Sequence, residues 1–373
     1  RILSSGAADM VSMARPLLAD PDWVNKAKTG RTQAINTCIA CNQACLDHVF
    51  VAKKASCLVN PRACAETELN YTPTKTSRRI AVIGAGPAGM ACATVASQRG
   101  HRVTLFDAHD EIGGQFNLAK RIPGKEEFHE TLRYFGHRLA EENVELRLGR
   151  KAAHDDVAGF DAIVLATGVS PRGVSFPGHD HPKVCGYLDV LTRRIVPGRR
   201  VAIVGAGGIG FDVAEFLVQE EPSPSLDPAR WMAEWGVDLD QRARGGLTQP
   251  HVEAPAREVW LLQRSSGKPG AKLGRTTGWI HRATLKAKGV KMLGGVEYVG
   301  VDDEGLRIRV DGSEQLLSVD HVVICAGQES LRELVQPLHD AGREVHVIGG
   351  ADLATELDAK RAIDQGSRLA ARL

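Results

Sequence analysis

The stretch RRIAVIGAGPAGMACATVASQRGHRVTLFD, residues 78–107, decides the fold of this 373-residue chain. It contains an apolar run at 80–83, a helical stretch at 88–99 and a second apolar run at 103–106. Two short apolar runs joined by a helical pattern are typical of a βαβ unit, whose strands are parallel. The sequence therefore predicts an α/β fold that contains a Rossmann-like domain.

Three glycines in this stretch form the pattern Gly-x-Gly-x-x-Gly between the first strand and the helix. Gly84 permits a tight turn, Gly86 lets the backbone approach a pyrophosphate, and Gly89 permits close packing of helix on strand. Asp107 ends the second strand, where a carboxylate can bond a ribose hydroxyl. The alternative is a tight turn without a ligand. The flanking strand and helix and the acid in register favour a dinucleotide site.

A second unit of the same kind occupies residues 199–219. Its motif glycines are Gly205, Gly207, Gly208 and Gly210. The stretch 220–257 is interpreted as an insertion, and the strand after it ends at Gln263 and Arg264 in place of an acid. Because a guanidinium can bind a 2′-phosphate, Arg264, with Lys268 nearby, favours NADPH over NADH. A solvated basic turn is the alternative.

A cysteine cluster lies upstream of the first glycine motif. Its spacing is C-x2-C-x3-C-x11-C, formed by Cys38, Cys41, Cys45 and Cys57. Thiolates at short spacing suit tetrahedral zinc or an iron–sulfur cluster. Three ligands within eight residues and a fourth after a short loop favour a [4Fe–4S] cluster, while zinc, disulfides and free thiols remain alternatives. Cys64 is interpreted as structural.

Composition narrows the class of protein. The chain is 43% hydrophobic with a formal charge of +2, which is ordinary for a soluble globular protein of two or three domains. This charge gives no reason to expect a nucleic acid or an anionic membrane as partner. No apolar run approaches the roughly 18 residues of a membrane span, and no signal peptide is evident. We therefore expect a cytoplasmic location.

The N-terminal residues suggest that the chain continues a longer protein, because it starts at Arg1 without a Met. The segment ADMVSMARPLLADPDWVNKAKTG, residues 8–30, predicts a short buried strand at 10–13. A loop at 14–16 and a helix ending at Gly30 follow.

Several segments together resemble the bacterial NADPH-dependent 2,4-dienoyl-CoA reductases, which are iron–sulfur flavoproteins of the old yellow enzyme and trimethylamine dehydrogenase-like group. These segments are MVSMARPLLADPDWV, NTCIACNQACLD, SCLVNPRAC, LFDAHDEIGGQFNLAKRIPGKEEF, GGIGFD and TTGWIHR. The resemblance implies the end of a (β/α)8 barrel at 1–30 and an iron–sulfur segment at 31–74. It further implies a discontinuous FAD domain at 75–168 and 325–373, with an NADPH domain at 169–324.

The resemblance also implies cofactor-binding residues. Ala14 and Arg15 match a loop that holds the phosphate of FMN. Asp352, in the turn Gly-Gly-Ala-Asp at 349–352, matches a residue that meets FAD at the start of a helix, with an ordinary helix N-cap as the alternative. The other positions expected to contact FAD are Ala88, Asp107, Gly114, Gln115, Lys125 and the backbone of Ala152. Gln263 and Arg264 match an NADP-binding pair.

The activity implied by the resemblance is NADPH-dependent reduction of 2,4-dienoyl-CoA in unsaturated fatty acid β-oxidation. Electrons would pass from NADPH through FAD, the [4Fe–4S] cluster and FMN to the acyl-CoA substrate. The catalytic Tyr and His of that family lie in the part of the barrel that this sequence lacks, so no catalytic residue is assigned. The alternatives are an NADH:flavin oxidoreductase or amine dehydrogenase of the same group, or a zinc-stapled nucleotide-binding module without turnover.

Overall fold

The computed structural model describes residues 2–219, 221–355 and 358–373. Within these ranges the chain divides into two compact units. The first unit contains the residues up to Phe116, Glu127–Val169 and Ser330–Leu373, and the second contains Asn117–Glu126 and Ser170–Glu329. The assignment of the short segment Asn117–Glu126 to the second unit is not evident in any sequence pattern.

The strands and helices are numbered in chain order. The strands are β1 (Arg79–Ile83), β2 (Arg102–Phe106), β3 (Glu145–Arg147), β4 (Ala162–Leu165), β5 (Val169–Pro171), β6 (Val184–Gly186), β7 (Arg200–Val204), β8 (Glu258–Leu262), β9 (Lys291–Leu293), β10 (Glu297–Asp302), β11 (Gly305–Val310), β12 (Ser313–Leu317), β13 (His321–Ile324), β14 (Gln328–Ser330) and β15 (Val345–Val347). The helices are α1 (Arg15–Ala19), α2 (Trp23–Lys28), α3 (Leu46–Val49), α4 (Pro87–Gln98), α5 (Phe116–Ala119), α6 (Phe128–Glu141), α7 (Tyr187–Leu191), α8 (Gly208–Val218), α9 (Pro228–Glu234), α10 (Gly278–Ala287), α11 (Val335–Asp340) and α12 (Ala359–Ala370).

The first unit is built on a parallel sheet in the order β15-β4-β1-β2-β3. The side chains of β1 alternate between two apolar cores. Ile80 and Val82 pack with residues of α4 and α12, whereas Ala81 and Ile83 pack in a second core with Leu338 of α11. A parallel sheet covered on both faces needs strands that are apolar throughout, which explains the unbroken apolar runs of the sequence. The predicted βαβ unit is confirmed.

The second unit repeats this design with a parallel sheet in the order β6-β13-β7-β8-β9. Val201 and Ile203 of β7 pack with Phe211 of α8, and Ala202 and Val204 pack in a separate core. That second core is completed by the antiparallel sheet β10-β11-β12. The predicted internal repeat is therefore present, and the segment 220–257 lies between α8 and β8 as an insertion.

The strand predicted at 10–13 is wrong. These residues carry no strand, and the side chain of Met10 is 82% exposed. A strand is stable when neighbouring strands satisfy its backbone N–H and C=O groups. No strand in the part of the chain that the structure describes pairs with these residues.

The loop and helix predicted at 14–30 also differ from the structure. Helix α1 begins at Arg15, with Pro16 in its first turn, where proline is favoured. It ends at Ala19, because Asp20 precedes Pro21 and adopts the extended conformation that a following proline imposes (φ −144°). The single predicted helix is therefore split into α1 and α2. None of the described helices is both long and apolar enough to cross a membrane.

Candidate functional site

The first glycine motif forms a loop with no room for side chains at its two outer glycines. Gly84 has φ +110°, and a Cβ built on it would lie 2.2 Å from the carbonyl oxygen of Ala166. A Cβ on Gly89 would lie 1.8 Å from the carbonyl oxygen of Gly84. Gly86, in contrast, faces open space. The outer glycines thus serve packing, and the middle one leaves room for a ligand above the start of α4.

Asp107 supports this loop. One carboxylate oxygen accepts a hydrogen bond from the N–H of Ala85 at 2.6 Å, and the other accepts one from the N–H of His109 at 2.9 Å. The side chain is only 11% exposed. The sequence predicts a contact from this carboxylate to a ribose, and the structure adds a bracing role for the glycine loop.

Two further turns converge on the start of α4. A Cβ on Gly114, which has φ +52°, would lie 3.0 Å from the Cα of Gly86. A Cβ on Gly349, which has φ +64°, would lie 2.9 Å from the Cβ of Ala88. Because all of these positions are distant in sequence, only the fold brings them together. They border the N-terminus of α4, whose free N–H groups favour phosphate.

Asp352 is held in this arrangement by Gln365 of α12. The amide of Gln365 donates to the Asp352 carboxylate at 2.9 Å, and its oxygen accepts from the N–H of Gly349 at 2.8 Å. The prediction that a helix opens at this turn is wrong, and so is the N-cap alternative for Asp352. Helix α12 begins at Ala359, because the Asp358 side chain accepts a hydrogen bond from the N–H of Arg361 and caps it.

The remaining positions expected to contact FAD are distributed more widely. Gln115 is exposed beside Gly114. Ala152 is buried but lies in the loop after β3, which ends at Arg147, and not at a strand end. Lys125 lies in the second unit, where its ammonium contacts both carboxylate oxygens of Asp212 at 2.6 and 2.7 Å.

A contact between a buried glutamate and a half-buried histidine, near Lys125 and Asp212, was not predicted from the sequence. Glu215 of α8 is 5% exposed, and its carboxylate lies 2.7 Å from Nδ1 of His281 of α10. Burial raises the pKa of Glu215, and the hydrogen bond that its carboxylate accepts from His281 raises the pKa of His281. One sequence signal could have pointed to this region. Asp212 and His281 lie in two of the segments that carry the family resemblance, GGIGFD and TTGWIHR.

The second glycine motif reproduces the geometry of the first. Gly205 has φ +112°, and a Cβ on it would lie 2.6 Å from the carbonyl oxygen of Cys325. A Cβ on Gly210 would lie 1.8 Å from the carbonyl oxygen of Gly205, the same distance as at the corresponding position of the first motif. Gly207 and Gly208 face open space. The two loops therefore offer the same kind of backbone cradle.

The two units differ in the charge that follows the second strand. Val204 pairs with Leu262 as the last residues of β7 and β8, so Gln263 takes the position that Asp107 has in the first unit. An amide thus replaces the carboxylate. Arg264 follows, is exposed, and makes no hydrogen bond or ion pair with any described residue. A free cation at this position suits a negatively charged group near the ribose.

The loop that carries Arg264 is fixed by its backbone. The N–H of Gln263 donates to the carbonyl of Leu293 at 2.9 Å, and the N–H of Gly295 donates to the carbonyl of Ser265 at 3.0 Å. Lys268 is exposed in the same loop. The sequence predicts that Arg264 and Lys268 bind the nucleotide, but the hydrogen bonds that hold their loop form only in the folded chain.

The four clustered cysteines converge on one cavity in the first unit. Cys38, Cys41, Cys45 and Cys57 all line it, together with apolar side chains such as Ile39 and Leu58. All eight cysteines are free thiols, so the disulfide alternative is wrong. Cys64 is exposed and does not line the cavity.

Burial disfavours the thiolate form at two of these cysteines, Cys41 and Cys57. The pKa of Cys41 is raised to about 12 and that of Cys57 to about 11, mainly by burial and to a smaller extent by the neighbouring cysteines. Backbone N–H groups oppose this shift, from Gln43 at Cys41 and from Val59 and Asn60 at Cys57. Four converging sulfurs with N–H donors suit an iron–sulfur cluster. Over residues 2–219, 221–355 and 358–373, no group of three or more Cys, His, Asp or Glu side chains could hold a metal ion.

Helix α6 anchors the segment that leads into the cysteines. The guanidinium of Arg133 donates to the carbonyls of Gln33 at 2.6 Å and Ile35 at 2.8 Å. The carboxylate of Asp20, 3% exposed, accepts from the N–H of Asn36 at 2.8 Å. Neither residue was predicted from the sequence, because each acts across a long separation.

Ala14 and Arg15, which the resemblance assigns to an FMN phosphate, lie at the start of α1, with Ala14 as its N-cap. Arg15 lines the thiol cavity and donates through Nη1 to Oδ1 of Asn42 at 3.0 Å. The structure thus brings Arg15 to the cysteines.

Comparisons with known proteins agree with this geometry. The profile of the pyridine nucleotide-disulphide oxidoreductases matches residues 78–357. A metal reductase of Desulforamulus reducens is 34% identical over 94% of this chain and 52% of its own length. An NADH oxidase of Thermoanaerobacter brockii is 29% identical over 94% of this chain and 50% of its own length.

A solved structure of a 2-naphthoyl-CoA reductase in complex with 2-naphthoyl-CoA matches all of this chain with a TM-score of 0.85. It is 27% identical, and the match covers 52% of that protein. The chain therefore spans about half the length of the relatives and of the solved structure that it matches.

Proposed function

The chain belongs to the pyridine nucleotide-disulphide oxidoreductase family, and from this premise we propose that it is the NADPH-oxidising, electron-transferring part of a [4Fe–4S] flavoprotein reductase. One observation carries the proposal. The two units have glycine loops of the same geometry but carry opposite charges after the second strand of the βαβ unit. This charge is Asp107 in the first unit and Arg264 in the second. Such a pair suits two different dinucleotides.

FAD, which membership in the family implies, fits the first unit. A Cβ on Gly86 would meet nothing within 4 Å, and Gly349, in the turn held by Gln365, lies against Ala88 of α4. In the open space at Gly86 the N–H groups of α4 would hold the pyrophosphate. The carboxylates of Asp107 and Asp352 would accept hydrogen bonds from hydroxyls of the bound molecule.

NADPH fits the second unit. The backbone around Gly207 and Gly208 would approach the pyrophosphate, and Arg264 would pair with the 2′-phosphate. FAD in the first unit would supply two-electron chemistry with the nicotinamide, and a cluster held by the cysteines would supply one-electron transfer. The residues of the chain bind and orient these groups.

For the thiol cavity we propose a [4Fe–4S] cluster, with zinc as the alternative. Three cysteines lie within eight residues and the fourth follows after a short loop, a spacing that favours a cluster over a zinc site. Backbone N–H groups that reach Cys41 and Cys57 provide the hydrogen bonds to sulfur that such clusters use. We propose Cys38, Cys41, Cys45 and Cys57 as the ligands of this cluster.

For the whole protein we propose reduction of a conjugated acyl-CoA, specifically a 2,4-dienoyl-CoA, at an FMN site in a barrel domain. The support is the resemblance of the quoted segments and the likeness to a reductase that binds an aromatic acyl-CoA. An amine dehydrogenase of the same group is the rival. Arg264 and the intact second glycine loop favour the NADPH-dependent reductase.

The first test uses the 373-residue chain loaded with FAD. We expect it to oxidise NADPH with ferricyanide as acceptor, because both nucleotide units are present. We expect no reduction of 2,4-dienoyl-CoA, because the resemblance places the acyl-CoA site in a barrel of which residues 1–30 match only the end. Absorbance at 340 nm follows both reactions (the usual wavelength for NADPH). Failure of NADPH to bleach bound FAD would contradict the proposed function.

The second test concerns the 2′-phosphate. Replacing Arg264 with Ala is expected to raise the KM for NADPH about tenfold or more, because a charge-assisted pair is worth about 1.5–3 kcal/mol. The KM for NADH should change little. The matched control is Arg275→Ala in the same unit, which leaves Arg264 in place. Equal losses for both nucleotides in Arg264→Ala would remove the 2′-phosphate role.

A further inference from the structure

Arg15 is the one cationic side chain among the described residues that line the thiol cavity. Apart from the four cysteines and Asn42, the other lining residues are apolar, for example Leu18 and Val59. A single positive charge, on an exposed side chain, therefore lies beside a set of four half-buried thiols.

A defined contact holds this charge in place. Arg15 lies in the first turn of α1, and its Nη1 donates to the side chain of Asn42 at 3.0 Å. Asn42 follows Cys41 directly and has φ +58°, a left-handed conformation that asparagine tolerates better than most residues. The backbone that carries two of the cysteines thus presents the amide that fixes the guanidinium.

We propose that Arg15 sets the reduction potential of the cluster held by the four cysteines. The potential of an iron–sulfur cluster depends on net charge, on hydrogen bonds and on solvent exposure. One-electron reduction adds a negative charge to a group already bound by four thiolates. A fixed guanidinium at the cavity stabilises that added charge and so raises the potential. This inference rests on the cluster proposed above.

The test is a potentiometric titration of the 373-residue chain, reconstituted anaerobically with ferrous iron and sulfide. The EPR signal of the reduced cluster is followed during dithionite addition, and iron and sulfide are measured per chain. In Arg15→Gln the ratio of reduced to oxidised cluster at the wild-type midpoint is expected to fall about tenfold. That change equals a shift of about 59 mV for a one-electron couple.

Three further variants separate charge from structure. Arg15→Lys keeps the charge and should retain most of the wild-type potential. In Asn42→Gly, glycine can adopt the left-handed backbone of this position, but the guanidinium of Arg15 loses its hydrogen-bond acceptor. The potential of this variant should fall part of the way toward that of Arg15→Gln. Arg31→Gln is the control, because Arg31 pairs with Glu141 and does not line the cavity. It should keep the wild-type midpoint.

The outcomes distinguish this inference from the proposed function. A fully loaded Arg15→Gln with the wild-type midpoint would overturn the role of Arg15 and leave the cluster in place. A wild-type chain that takes up no iron and sulfide would overturn the proposed cluster itself. If Arg15→Gln does not retain its cluster, the shift in Asn42→Gly decides, and a wild-type midpoint there refutes the proposal.

Discussion

Replacing Gly89 with Ala is expected to abolish FAD binding and to lower the free energy of unfolding by about 3 kcal/mol. The added Cβ would lie 1.8 Å from the carbonyl oxygen of Gly84, a backbone atom that cannot rotate away. Relief requires α4 to move off the sheet, which opens the loop that Asp107 braces and displaces the N–H groups of the helix. Flavin content after purification and urea unfolding measure the two effects.

Two variants in the same unit separate the loss of FAD binding from the loss of stability. Gly86→Ala should unfold like the wild type yet lose flavin, because its Cβ meets nothing in the protein and would occupy the space of the pyrophosphate. Gly159→Ala is the control, since its Cβ would come no closer than 3.8 Å to Arg79. It should keep both flavin and stability. A Gly86→Ala protein with full flavin content would contradict the position proposed for the pyrophosphate.

Gly210→Ala is the counterpart in the second unit. Its Cβ would meet the carbonyl oxygen of Gly205, also at 1.8 Å. We expect this variant to keep FAD in the first unit and to lose NADPH binding. Bleaching of its flavin by dithionite but not by NADPH is the expected readout.

The second large effect is expected for Cys41→Ser. This change should remove the iron–sulfur cluster, because a hydroxyl is a poor replacement for a thiolate ligand and Cys41 lies among the four cavity thiols. We expect iron and acid-labile sulfide to fall from about four of each per chain to near zero, as a [4Fe–4S] cluster requires. Colorimetric iron and sulfide assays on anaerobically prepared protein measure the loss.

Cys64→Ser is the matched control, because Cys64 is exposed and outside the cavity. It should retain full iron and sulfide. NADPH-driven bleaching of FAD should persist in both variants, since that reaction does not require the cysteines. Zinc without sulfide in the wild-type chain would instead support the zinc-stapled alternative, and retention of iron and sulfide by Cys41→Ser would exclude Cys41 as a ligand.

Much of the fold could be predicted because its signals are local. The apolar runs of β1 and β2, the helix between them and the glycine spacing all lie within 30 residues. The same device at 199–219 predicts the second sheet. The prediction of a strand at 10–13 was wrong, because an apolar run forms a strand only where a neighbouring strand pairs with its backbone.

The candidate site could be predicted only in part. The sequence identifies the glycines, Asp107, Arg264 and the cysteines, because each has a fixed place in a short motif. It does not reveal Gln365, which lies in α12, 13 residues beyond Asp352, and orients the turn at 349–352. Such contacts depend on packing, which no short motif encodes.

The sequence alone determined that this protein is an α/β chain with two glycine-rich nucleotide loops and a four-cysteine segment. These features depend on backbone freedom, apolar periodicity and spacing along the chain. The tertiary structure decided which side chains that are distant in sequence contact one another. It joined Lys125 to Asp212, 87 residues away, and Arg15 to Asn42, 27 residues away. Ion pairs and hydrogen bonds act over a few ångströms of space, and only a folded chain brings such distant residues that close.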